Sequence, residues 1–171
     1  MNMRVISVFS VVIAALFFML ACSQPKMNVG KKGSEYKVKV VGVVDGDTFD
    51  GVFVLNGETF QKRYRLACID TPEKGQPFYK NAKRQLSDLI FGQYVTVKVE
   101  QKDRYKREVV WVINEKEQDV QTEMLKTGMA WHFKRYNQDS YYSKLEENAH
   151  QNRIGLWQDE NPIAPWLWRK R

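Results

Sequence analysis

The chain has 171 residues, the size of one domain, with 27 basic against 20 acidic side chains and a formal net charge of +7. That excess points to a polyanionic partner, nucleic acid or an anionic envelope surface, although a merely soluble basic surface would carry it too. Two cysteines exclude a disulfide framework. The lack of a Cys/His cluster argues against zinc or histidine-based nucleophile chemistry, since His132 and His150 lie far along the chain from the acidic motifs.

Residues 5–20, VISVFSVVIAALFFML, are continuously apolar after Arg4 and short for a membrane span. With residue 21 they read as a secretory signal peptide, 1–21, with an uncleaved anchor as the alternative. Met19-Leu20-Ala21-Cys22 resembles a bacterial lipobox. That resemblance implies lipidation at Cys22 and an exported chain tethered to the membrane of the cell envelope; a secreted or periplasmic protein is the alternative. One acyl chain anchors weakly, and the bacterial lipoprotein modification supplies several. Removing 1–21 takes away only Arg4, leaving 26 basic against 20 acidic residues.

Residues 22–35 are polar, with Pro and Gly, and read as a flexible tether. Tyr36–Val44 is β-branched and opens the folded part, 36–158. Phe49–Leu55 is a second strand, Asn56-Gly57 a type I′ hairpin signal, and Glu58–Ile69 the return strand. Pro77–Phe91 reads as a helix, with Pro77 at its first position and Gly92 past its end. Phe78, Ala82, Leu86, Leu89 and Ile90 form its apolar face. Tyr94–Val99 alternates as a strand, Asp103–Arg107 turns, and Glu108–Ile113 resumes. A second helix covers about Asp119–Thr127, and a third starts at the N-cap Asp139 and ends before Gly155. The tail, 159–171, is Pro- and Trp-rich and reads as irregular. The order β-β-β-α-β-β-α-α predicts an α+β domain, a five-stranded antiparallel barrel of OB type with three helices.

Three charged stretches interrupt this pattern. Val44-Asp45-Gly46-Asp47-Thr48 sits at the first strand turn, where Asp and Gly alone would make an ordinary tight turn. Arg63–Glu73 places Arg65 inside an apolar strand and Asp70 and Glu73 at its tip. Buried charge is costly unless paired or bound to an ion. A meander returns the third strand beside the first turn, so Asp47 and Asp70 can converge. Two close carboxylates repel unless a cation lies between them, and oxygen donors suit a hard ion, Ca²⁺ or Mg²⁺. Asp103–Arg107 reads as a solvated hairpin, yet Arg65 and Arg107 together offer two forks that match phosphate oxygens. One conflict remains within the strand: strict alternation points Arg65 and Asp70 to opposite faces, so the pleat must break before Thr71-Pro72.

The set VDGDT, RLACIDTPE and DRYKR, in that order, resembles the staphylococcal nuclease family over about Tyr36–Trp157, and LKTGMAWHFKRY and RIGLW add to the likeness. The resemblance implies the OB barrel with three helices and Ca²⁺-dependent cleavage of DNA and RNA that leaves 3′-phosphate ends. It implies Asp47 and Asp70 as calcium carboxylates, with Thr71 contributing its backbone carbonyl. Glu73 would position or deprotonate the attacking water, and Arg65 and Arg107 would hold the phosphate. Arg104 and Tyr105 would line the phosphate rim, and Tyr136 would stack on the nucleotide. The sequence departs from the family pattern in three places. Lys106 replaces a usual glycine, Lys134 replaces a stacking tyrosine, and the loop after Glu73 is short. The expectation is a monomeric nuclease; the alternative is a catalytically inactive nucleic-acid-binding OB module at the envelope.

Overall fold

The structure, a computed structural model, describes residues 29–171. The apolar run and Cys22 lie outside the described residues. Alternation builds the barrel. In β1 (Glu35–Val43) Tyr36, Val38 and Val40 turn inward; β5 (Tyr94–Lys102) does the same with Val95, Val97 and Val99. β2 (Thr48–Leu55) contributes Phe49 and Phe53, and β3 (Glu58–Leu66) contributes Tyr64 and Leu66. Asn56 and Gly57 join β2 to β3 with φ 53° and 83°, the two positive angles that a type I′ turn requires. β6 (Glu108–Ile113) faces Val110 and Val112 inward.

The strands close in the order β1-β2-β3-β6-β5. The expected five-stranded barrel is present, but one of its seams is parallel: β3 runs alongside β6 through Tyr64↔Glu108, Arg65↔Val109 and Leu66↔Val110. The reason is parity. A closed ring with an odd number of strands cannot alternate direction at every pairing.

Helix α1 (Tyr79–Ile90) buries Ala82, Leu86 and Ile90 against the barrel. It starts two residues later than expected, because Phe78 takes a left-handed φ of 64° and stands as its N-cap, leaving Pro77 outside the helix. Helix α2 (Val120–Lys126) is capped by Asp119, which accepts from the Thr122 N–H at 2.7 Å. Helix α3 (Ser140–Gln151) is capped by Asp139, which accepts from the Tyr141 N–H.

Three further expectations change. The return strand ends at Leu66, and Ile69–Asp70 forms a separate short strand, β4, which pairs with β7 (Trp131–His132). The stretch 29–35, expected within the tether, is docked: Val29 packs on the core, and Gly33 and Ser34 bond to Val99. The tail is ordered as well: after a 3-10 turn that ends the domain (Gly155–Gln158), it forms a short helix, α4 (Pro165–Trp168). Pro165 supplies the preset φ of a first helical turn.

Candidate active site

Asp47 is placed by a turn that only glycine permits. The Val44 N–H bonds to the Thr48 carbonyl at 2.9 Å, and the Leu66 N–H bonds to the Asp47 carbonyl at 2.8 Å. A Cβ on Gly46 would come within 2.7 Å of Thr71 Oγ1 and 2.8 Å of the Ala82 Cβ. Without a side chain, the turn rests directly on Thr71 and α1 and presents Asp47 toward β3.

Asp70 is placed by a break in the pleat. Cys68 takes φ 55°, and the Ile69 N–H donates to the Ala67 carbonyl at 2.8 Å, a three-residue turn. The chain rotates there, and Asp70 comes to the same side as Arg65. Cys68 itself is a buried free cysteine in the core, as its size suggests.

Arg65 joins the two carboxylates. Its Nη1 donates to Asp47 Oδ1 at 2.9 Å, and its Nη2 lies 2.8 Å from Asp47 Oδ2 and 2.7 Å from Asp70 Oδ1. Asp47 and Asp70 are 3% and 0% exposed, so both charges are taken out of water. Burial is the largest influence on Asp47, pushing its carboxyl up to about 7 against the opposing pull of Arg65, with Asp45 adding repulsion. Burial raises Asp70 as well; hydrogen bonding from Arg169 acts against it, while Asp47 reinforces it.

Arg169 comes from the tail. It donates from Nη2 to Asp70 Oδ2 at 2.7 Å and from Nη1 to Asp70 Oδ1 at 3.3 Å, and Nη1 also bonds Glu73 Oε1. Burial favours loss of its proton, but Asp70 and Glu73 outweigh this and hold the guanidinium charged. Gln76 ties the tail to the Glu73 turn: its side chain accepts from the Glu73 N–H at 2.7 Å and donates to the Ile163 carbonyl at 2.6 Å. Trp166 stacks on Phe133 with ring centroids 5.2 Å apart and meets Trp131 edge-on at 5.7 Å.

The remaining expected residues lie around this centre. Arg107 is held by Asp103 at 2.7 Å, and Tyr105 lies under both Arg104 and Arg107. Tyr105 and Arg107 line an open cleft with Asp45, Thr48, Lys62 and Arg63, next to the Asp47 turn. Lys106 sits at φ 64°, so the turn keeps the left-handed shape that a glycine would adopt freely. Tyr136 is exposed on the loop after β7, edge-on to Phe133. Lys134 on the same loop is committed to Glu146 of α3 at 2.6 Å. His132 is distant in sequence from the acidic motifs but pairs with Ile69 across β4–β7; its ring turns away to Ser143 and Asn137.

A family profile described as Staphylococcal nuclease homologue matches residues 63–159. The chain belongs to the staphylococcal nuclease family. It is 42% identical over 133 residues to an uncharacterized endonuclease of Haemophilus influenzae, covering 78% of this chain and 72% of that one. It is 35% identical over 147 residues to a micrococcal nuclease of Shigella flexneri, covering 80% and 82%. A staphylococcal-like nuclease of Arabidopsis thaliana is 40% identical over 117 residues, with 67% of this chain but only 36% of the plant protein covered.

As a staphylococcal nuclease homologue the chain is a nuclease, a hydrolase acting on nucleic acid. The family match ends at residue 159, before the segment that carries Arg169. Sequence reasoning passed over Arg169 for lack of a motif. A signal was there: two tryptophans within WLWRK, after a proline suited to a first helical turn, are too apolar for a solvated tail.

Proposed function

We propose that this nuclease is a calcium-dependent endonuclease that hydrolyses DNA and RNA without discriminating the sugar, leaving 3′-phosphate ends. One observation carries the reading: two buried carboxylates, Asp47 and Asp70, converge on one guanidinium beside an open cleft lined by Arg107, Tyr105, Lys62 and Arg63.

The donor set fits a hard cation. Among the described residues no group of three or more His, Cys, Asp or Glu side chains is placed to hold a metal. Asp47, Asp70 and the Thr71 carbonyl would hold it, an all-oxygen set that suits calcium. When bound, calcium supplies charge neutralisation at the phosphate.

The chain's own groups carry the remaining work. Arg65 and Arg107 grip non-bridging phosphate oxygens as negative charge grows on them. Glu73 accepts the proton of a water that attacks phosphorus opposite the 5′ oxygen. The bond from phosphorus to the 5′ oxygen breaks, the 5′ oxygen takes a proton from solvent, and the phosphate stays on the 3′ side. Tyr105 and Tyr136 offer faces for bases, and Arg104 and Lys134 add to the basic rim. The protein acts as a monomer, exported and held at the envelope through lipid on Cys22.

The deciding experiment is incubation of the protein with plasmid DNA and with RNA, with calcium and with excess EGTA. Loss of both substrates in calcium alone is expected. Cleavage of neither marks a binding module; cleavage that persists in EGTA removes the calcium assignment.

A further inference from the structure

We propose that Arg169 is an internal counter-cation of the active centre that competes with the divalent ion for Asp70. This rests on the calcium reading above.

The Asp70 carboxylate is buried, and both its oxygens are engaged by arginine. Oδ1 accepts from Arg65 at 2.7 Å and from Arg169 at 3.3 Å; Oδ2 accepts from Arg169 at 2.7 Å. Calcium takes a carboxylate oxygen at about 2.3–2.6 Å. A guanidinium nitrogen 2.7 Å from Oδ2 takes one of that oxygen's lone-pair directions and puts a positive charge beside any ion held on it. An ion on the same carboxylate would lie a few ångströms from that guanidinium, and their charges repel. Binding of the ion at Asp70 is therefore opposed while Arg169 stays.

Arg169 is the more readily withdrawn of the two arginines. Arg65 is 19% exposed along its side chain, belongs to a barrel strand, and also holds Asp47 with two nitrogens. Arg169 is 40% exposed along its side chain and follows a four-residue helix. A side-chain rotation withdraws it from Asp70 while the tail remains docked through Gln76 and Trp166. The same docking keeps the guanidinium close, so it returns when the ion departs. Before the ion arrives, Arg169 offsets the charge of the buried carboxylate. Afterwards that hold is lost, so the tail raises the calcium concentration at which the site fills.

Calorimetric titration of calcium into the metal-stripped protein, its Arg169→Gln variant and its Lys170→Gln variant tests this directly. Lys170 is an exposed basic neighbour on the same tail. If Arg169 occupies Asp70 in all but ~10% of molecules, Arg169→Gln binds calcium about tenfold more tightly. Lys170→Gln is expected to bind as the native chain does. Melting without divalent ions is expected to be lower for Arg169→Gln than for the native chain, and saturating calcium is expected to narrow that gap. Calcium affinity unchanged or weakened in Arg169→Gln overturns the proposal and leaves the calcium reading standing. Equal tightening by Lys170→Gln also overturns it, because the effect would then be tail charge in general. Absence of calcium binding in all three proteins overturns both.

Discussion

Arg65 and Asp70 meet at 2.7 Å across a single bend, in which Cys68 takes φ 55°. The ion pair depends on that one backbone angle, because an unbroken pleat sends residues five apart to opposite faces. Cys68→Val puts a β-branched side chain at positive φ, a strain of roughly 1–3 kcal/mol. The variant is expected to unfold at lower denaturant and to lose most nuclease activity, whereas Cys68→Gly keeps the bend and the activity. Equal activity in the two variants would show that the bend does not build the site.

Lys106 is exposed and sits at φ 64° in the hairpin that carries Arg107. Glycine reaches this conformation without a Cβ clash, although it gives the unfolded chain more freedom. Lys106→Gly is expected to raise unfolding stability by up to about 1 kcal/mol. Denaturant titration checks this; a drop in stability would mean that the lysine side chain contributes something the backbone cost does not outweigh.

Glu73 and Asp47 are separable by calcium. Glu73→Gln keeps size and hydrogen bonding but cannot accept a proton, so turnover is expected to fall about 10²- to 10⁴-fold at every calcium level. Asp47→Asn weakens the metal site itself, so added calcium is expected to restore part of its rate. Calcium titration of cleavage at saturating DNA distinguishes them. Near-native rates for Glu73→Gln at high calcium would make Glu73 a ligand and place the base elsewhere.

Asp47 is expected to make stability depend on pH in an unusual direction. Its carboxyl is raised from 3.8 to about 7, chiefly by burial. Between those values the folded state binds more protons than the unfolded chain, so this group's contribution falls as pH rises from about 4 to about 7. Without divalent ions, the stability difference between the native chain and Asp47→Asn is expected to shift against the native chain across that window. Melting curves of both proteins at several pH values measure it, and a difference that is flat across the window would contradict the burial argument.

Cys22→Ala is expected to move the protein from the membrane to the soluble fraction on expression in a bacterial host. Retention of the variant with membranes would assign attachment to the apolar run or to charge.

Local rules determined most of the elements. Alternation set β1, β2, β5 and β6, Asn56-Gly57 set the hairpin, and Asp119 and Asp139 set two helix starts. These are short-range preferences, readable wherever neighbours along the chain decide conformation. The need for Asp47, Arg65 and Asp70 to meet was legible too, because a buried arginine between carboxylates demands partners. How they meet was not legible. The turn at Cys68 is held by its surroundings rather than by a residue that favours positive φ, and the Gly46 contact involves Thr71 and Ala82, distant in sequence. The parallel β3–β6 seam follows from closing five strands into a ring, a constraint no single strand carries. Arg169 is the extreme case. It lies 99 positions along the chain from Asp70, and the docking of the tail on Gln76, Trp131 and Phe133 brings its charge into the site.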